Sequence, residues 1–369
     1  MATVRLVIAF IMAIPTFITP YVQLALHGGA DSFFENWSVN DEYKADYAIE
    51  IKKDPAKDFV VLNFADIQLN PKESYGDYGA FVEDTVKRCV DEVKPDLITL
   101  TGDNAWGGDL SYVWVVKLID SLGIPWAPVM GNHDGSNGDP TKEYWCASLL
   151  DHAKNCLFKF GPKDMGYGNY VINVTENGKV IHTLFMMDTH SSADDTEAGK
   201  INYGKNEDGS DNIGYDHFWA NQIEWYEWAV KGIEKQAGKT VESTVFMHIP
   251  VLEYRTAAAL VCDFDGSNGT VKEEYADVAF GSLNETICSP AGNNGFFTKC
   301  KELGSTKNMI VGHDHVNNLS VEYEGIRLSY SLKCGPGCYW LPEKNGGSVL
   351  TINSQGNAVF SHHYIEPAA

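Results

Sequence analysis

The sequence predicts an α/β fold, one layered domain with two sheets, preceded by a distinct apolar N-terminal segment. Three observations predict it. Beyond residue 55, short β-rich runs alternate with amphipathic helical stretches, the pattern of helices packed on sheets. No internal repeat and no Pro- or Ser-rich linker divides the chain. Short polar motifs follow directly on several of the apolar runs, where an open α/β sheet places its ligands.

From Leu6 to Leu26 the chain is almost wholly apolar, interrupted by Pro15 and Pro20, with Arg5 before it and Asp31 and Glu35 after it. Two prolines argue against a buried helix. The positive N-terminal flank marks a targeting segment that leaves the bulk of the chain outside the cytosol. Gly28 and Ala30 suit cleavage of a signal peptide, whereas about 21 apolar residues also suffice for a membrane anchor. Residues 1–30 are assigned to this signal or anchor, 31–55 to a lead-in segment and 56–369 to the layered domain.

Val60 to Ala65 reads as a buried strand. Phe81, Val82, Val86, Val90 and Val93 then line one helical face, and Pro95 closes that helix. Leu97 to Leu100 is the next strand, Tyr112 to Leu122 a helix, and Pro125 to Met130 a further strand. Tyr170 to Val174, Ile181 to Met187, Thr244 to Met247 and Met309 to Val311 follow as strands, with shorter ones around Leu319, Ile326, Val349 and Val359. Trp219, Ile223, Tyr226, Val230 and Ile233 recur at spacings of four and three, one buried helix face. The stretches from His190 to Asp216 and from Cys262 to Asn294 read as long loops, and their Asp-Gly clusters do not match calcium-loop spacing.

With 369 residues, 44% of them hydrophobic and 21% charged, the chain can bury a sizeable core, so a small disulfide-dependent scaffold is excluded. Twenty-eight Lys and Arg against 50 Asp and Glu give a net charge of −22, which excludes the basic footprint of a nucleic-acid binder. Eight cysteines form an even set, consistent with disulfides in an oxidising compartment, with buried thiols of a cytosolic protein as the alternative. Cys334 and Cys338 are separated by three residues, so no Cys-x-x-Cys zinc or redox motif is present. Sequons at Asn36, Asn173, Asn268, Asn284 and Asn318 suit a secreted or extracytoplasmic glycoprotein.

Five motifs at strand ends carry the chemistry: Asp66-Ile67-Gln68, Gly102-Asp103-Asn104, Gly131-Asn132-His133-Asp134, Met247-His248-Ile249-Pro250 and Gly312-His313-Asp314-His315. This mixture of carboxylate, amide and imidazole suits manganese, iron or zinc rather than calcium, and two metals are needed to use it all. Gly102, Gly131 and Gly312 are expected at sharp turns leaving the strands.

In order and wording these motifs resemble the calcineurin-like metallophosphoesterases from Val60 to the last strands. They are closer still to the purple acid phosphatase 29-like group through Gly168-Asn169-Tyr170, His248-Ile249-Pro250, Asn294-Gly295-Phe296-Phe297 and the run from Val311 to Asn317. The resemblance implies a calcineurin-like phosphoesterase domain over residues 56–369, with two mixed β-sheets sandwiched between α-helices. It also implies a dinuclear centre of two divalent or trivalent ions bridged by Asp103. One metal would take Asp66, Gln68 and His315, and the other Asn132, His248 and His313. His133 would act as the acid that protonates the leaving oxygen, oriented by Asp134.

The implied activity is metal-dependent hydrolysis of phosphate esters by a metal-activated water, with monoesters favoured. A phosphodiesterase, a nucleoside-diphosphate-type diphosphatase, a catalytically weak binding scaffold and an extracellular interaction protein with incidental metal binding are the alternatives. The expected substrate is a phosphorylated small molecule or phosphoprotein, with membrane attachment only through the N-terminus. Two departures from the family pattern stand out. Gln68 occupies a position where many members have histidine, which predicts weaker occupancy of the first metal position. Trp106 stands three residues after Asp103, where purple acid phosphatases carry an iron-binding tyrosine, so no purple colour is expected. Arg255 is a candidate phosphate contact, with a surface salt bridge as its plainer role, and Trp106, Tyr339 and Trp340 are candidate pocket walls or core residues.

Overall fold

The computed structural model describes residues 33–106, 110–135, 140–191, 214–290 and 292–366. The apolar segment from Leu6 to Leu26 and most of the loop from His190 to Asp216 lie outside them. Among the described residues no helix is long and apolar enough to cross a membrane.

The chain runs through β1 (Ile49–Lys52), β2 (Phe59–Phe64), α1 (Pro71–Ser74), α2 (Asp77–Val93), β3 (Leu97–Thr101), α3 (Leu110–Ser121), β4 (Trp126–Val129), α4 (Pro140–Asp151), β5 (Tyr170–Glu176) and β6 (Lys179–Met186). It continues through α5 (Ala220–Ala237), β7 (Ser243–Phe246), α6 (Glu253–Val261), β8 (Cys262–Phe264), β9 (Gly269–Val271), β10 (Ala279–Phe280), β11 (Ser282–Leu283) and α7 (Phe296–Leu303). The last strands are β12 (Thr306–Val311), β13 (Ser320–Tyr323), β14 (Ile326–Tyr330), β15 (Gly346–Ile352) and β16 (Ala358–Tyr364).

A five-stranded sheet has the order β16-β15-β2-β3-β4 and an eight-stranded sheet the order β1-β5-β6-β7-β12-β14-β13-β10. Both are mixed: β2, β3 and β4 run parallel with β15 antiparallel to β2, and β6, β7, β12 and β14 run parallel with β5 and β13 antiparallel at the flanks. The period of two along each strand divides the core. Ile172, Leu184, Met186, Phe246 and Ile310 turn to the core shared with the five-stranded sheet. Val171, Phe185, Val245, Met309 and Val311 turn the other way, against Trp225, Tyr226 and Ala229 of α5 and Phe296 of α7. On the far side of the five-stranded sheet, Val82 and Val86 of α2 join the first core. Lys94, with φ of 53°, turns the chain out of α2 just before Pro95.

Several expectations are corrected. The stretch from Cys262 to Asn294 is not one loop: β8, β9 and β11 form a third, three-stranded sheet and β10 extends the eight-stranded one. Strands of two or three residues are too short to reveal a period. The lead-in segment supplies β1, whose Ile49 pairs with Ile172. No disulfide joins the eight cysteines, so the expected bridges are not formed; Cys89, Cys146, Cys262, Cys300 and Cys334 are instead buried.

Candidate metal centre

Every expected ligand leaves the C-terminal end of a strand. Asp66 and Gln68 follow β2, Asp103 follows β3, Asn132 follows β4, His248 follows β7, and His313 and His315 follow β12. The first three strands belong to one sheet and the last two to the other, so the seven side chains meet where the sheet ends converge. Asp66, Gln68, Asp103 and His313 have φ of 53°, 45°, 47° and 75°, a left-handed conformation that costs a non-glycine residue roughly 1 kcal/mol or more and gathers at functional sites. Gly102 also has positive φ, at 83°. Gly131 and Gly312 serve space rather than the expected turns, since a Cβ there would lie 2.0 Å from the Asp103 nitrogen and 2.6 Å from Asp66 Oδ2.

Asp66, Asp103 and His315 bring donor atoms within 4.8 Å of one another. Gln68 Nε2 donates to Asp103 Oδ2 at 2.8 Å, and its Oε1 is buried without a hydrogen-bond partner. His315 Nδ1 lies 3.2 Å from the Tyr339 carbonyl, which can only accept. The proton is thereby fixed on Nδ1, and the Nε2 lone pair faces Asp66 Oδ1 at 3.6 Å.

Beside this group, His248 Nδ1 donates to the Thr101 carbonyl at 2.8 Å, which leaves its Nε2 as an acceptor. That nitrogen lies 2.9 Å from Asn132 Oδ1 and 3.4 Å from Asp103 Oδ1, both acceptors as well, and 3.2 Å from His313 Nδ1. His313 Nε2 is buried without a partner. Burial lowers the pKa of His248, His313 and His315 and raises that of Asp66 well above the carboxylate range, the Lys333 charge opposing the latter. Acceptor atoms of Asn132 and Asp103 lying 2.9 and 3.4 Å from the acceptor nitrogen of His248, two orphaned polar atoms and an oxygen-nitrogen donor mixture fit a pair of transition-metal cations.

His133 sits beside this cluster. Its backbone N–H donates to Asp103 Oδ1 at 2.8 Å, and its ring stacks on Trp106 with centroids 4.5 Å apart. The expected contact from Asp134 to that imidazole is replaced by another role. Its carboxylate accepts from the backbone N–H groups of Gly131, Asn104 and Ala105 and from Asn104 Nδ2, so it ties the β4 turn to the β3 turn. Burial pushes its pKa up to about 8. Arg255 is turned to backbone rather than to a carboxylate: Nε and Nη2 donate to the carbonyls of Ile287 and Ser289 at 3.0 and 2.9 Å. Trp106 and Tyr339 are exposed and flank the cluster, Tyr339 lying 4.3 Å from the His315 ring, whereas Trp340 packs edge-on to Phe81.

Two residues of the site were missed in the sequence, and a third, Asp314, stood in its motif without a role. Tyr215 places its ring edge-on to His313 at 4.3 Å. Asp314, its pKa pushed up to about 7 by burial, accepts from Tyr330 Oη at 2.5 Å and anchors the turn between the two histidines. Lys333 is buried and donates to the Asp66 carbonyl. A lysine in the run from Ser329 to Cys334, otherwise without charge, was the one signal that could have flagged it.

The family model for calcineurin-like phosphoesterase matches residues 59–276. The chain belongs to this family. Among curated phosphoesterase relatives, it is 29% identical over 273 residues to a protein of Arabidopsis thaliana named probable inactive purple acid phosphatase 14, covering 67% of this chain and 60% of that one. It is 25% identical over 274 residues to probable inactive purple acid phosphatase 29 of the same plant, covering 66% and 61%. Phosphatase DCR2 of Saccharomyces cerevisiae is 28% identical over 331 residues, covering 81% of this chain and 49% of the yeast protein. The chain thus spans about three fifths or less of the length of these relatives. A dimetal phosphatase from Danio rerio, 12% identical, superposes with a TM-score of 0.52 over 82% of this chain and 98% of its own. The calcineurin-like fold class predicted from the motifs is therefore the observed one.

Proposed function

We propose that this phosphoesterase hydrolyses phosphate esters, monoesters in preference to diesters, at a dinuclear centre held by Asp66, Gln68, Asp103, Asn132, His248, His313 and His315. The observation that carries the reading is the convergence of carboxylate, amide and imidazole donor atoms from both sheets around Asp103. Two cations bound there would polarise the phosphoryl oxygens and supply a water acidic enough to attack near neutral pH. Asp103 lies between the two groups of donors and is suited to bridge them. His133, half-buried at the rim with one face covered by Trp106, is placed to give a proton to the departing oxygen.

The substrate class is a phosphorylated small molecule or a phosphoprotein, and the net charge of −22 disfavours nucleic acid. The apolar N-terminal segment supports an extracytoplasmic location. A second reading, a binding scaffold without turnover, is favoured by the names of the two plant relatives, whereas the yeast relative is named a phosphatase. The test compares wild type, Asp103→Asn and His133→Ala after loading with manganese, using a chromogenic phosphomonoester and a diester. Monoester turnover by wild type that falls about a hundredfold or more in both variants is expected. Equal residual rates in all three proteins would establish the scaffold.

A further inference from the structure

Lys333 continues β14 alongside the end of β2, bridging Ala65, while the Cys334 N–H donates to the Ala65 carbonyl at 2.9 Å. The loop that follows lies directly on the metal-binding turn: a Cβ at Gly337 would come within 2.3 Å of the Ile67 carbonyl. The same segment ends at Tyr339, whose carbonyl fixes His315. One stretch of chain therefore positions a ligand of the first metal position and buries an ammonium beside it. The Lys333 amino group donates to the Asp66 carbonyl, and Asp66 joins Asp103 and His315 in the group whose donor atoms lie within 4.8 Å of one another. His248 and His313 stand outside that group.

A buried carboxyl group keeps its charge only beside a compensating positive one. Resting on the dinuclear reading above, we infer that Lys333 grades the two metal positions. In the metal-free protein its ammonium stands in for the cation of Asp66 and Asp103, and it opposes that cation when one arrives. The first position, already weakened by the neutral Gln68, becomes the exchangeable one. The position of Asn132, His248 and His313 becomes the retained one. A trivalent ion at the first position is disfavoured more than a divalent one, because the repulsion scales with charge.

Calorimetric titration of manganese(II) into the metal-stripped full chain tests this, with elemental analysis of ions retained after dialysis. Wild type is expected to bind two ions with constants separated by about tenfold or more, and to retain one. Lys333→Met is expected to tighten the weaker constant about tenfold while lowering the melting temperature of the metal-free protein. Lys333→Arg is expected to keep the wild-type separation. Equal constants in wild type, or no tightening in Lys333→Met, would overturn the grading; the wild-type comparison holds even where a variant does not fold. Wild type that binds no ion at all would overturn the dinuclear reading itself, an outcome distinct from two ions bound equally.

Discussion

Trp106 stands three residues after Asp103, and its indole packs on His133. The ring lies parallel to the His133 imidazole, with 16° between the planes, and remains 42% exposed. In the proposed mechanism, stacking would fix the plane in which His133 delivers a proton, a geometric contribution felt at the transition state. Trp106→Ala is expected to lower kcat about tenfold with little change in KM, and Trp106→Phe to restore most of the loss. A change confined to KM would assign the indole to substrate contact instead. The proposed ligand side chains, which the fold does gather at one place, were legible because each sits in a short polar motif after an apolar run. The bonds of Asp134 were not: adjacency to His133 suggested that contact, but the carboxylate turns back to three backbone N–H groups. Lys333 was illegible for a related reason, since a buried charge is recognised by what surrounds it.

At the scale of elements, the strands from β2 onward of four or more residues and the helices α2, α3 and α5 were readable in the sequence, whereas β1 and α4 were not. The third sheet, with strands of two and three residues, was not. Two histidines tie the main sheets together in ways no period reveals. His182 on β6 donates Nδ1–H to the Gly356 carbonyl in the turn between β15 and β16, at 2.8 Å, and accepts from Thr244 Oγ1 at 3.0 Å. His362 on β16 donates to the Tyr330 carbonyl of β14 at 3.0 Å. Burial pushes both pKa values down to about 4 from 6.5. As pH falls below 6.5 the unfolded chain takes up these protons first, so stability declines until about pH 4 and the contribution is fully lost below it. Each histidine accounts for at most about 3 kcal/mol of that decline. Urea unfolding at pH 7, 5.5 and 4 is expected to show it, and His182→Gln to flatten the slope despite lower stability at pH 7. An unchanged slope in that variant would remove His182 from the account.

Across the whole molecule, the fold decides which sequons can carry a glycan. Asn36 and Asn268 are exposed. Asn173 lies within β5, 6% exposed and accepting from Thr183 Oγ1, and Asn318 is 5% exposed and donates to Tyr364 Oη. Protein expressed through a secretory route is expected to carry glycans at Asn36 and Asn268 and none at Asn173 or Asn318. Peptide mass spectrometry of the folded fraction checks this, and a glycan on Asn173 would contradict the strand pairing of β5 with β6. The convergence of two sheets on one centre also sets an order of events during synthesis. Its ligands run from Asp66 to His315, so no nascent chain that stops short of β12 can assemble it. A partly made chain emerging from the ribosome therefore has no complete cage to offer a metal ion. On the proposed dinuclear reading, loading would fall after the long-range pairing of β7 with β12 is in place, which would leave the free-ion supply of the compartment where folding ends to decide which metal is taken up.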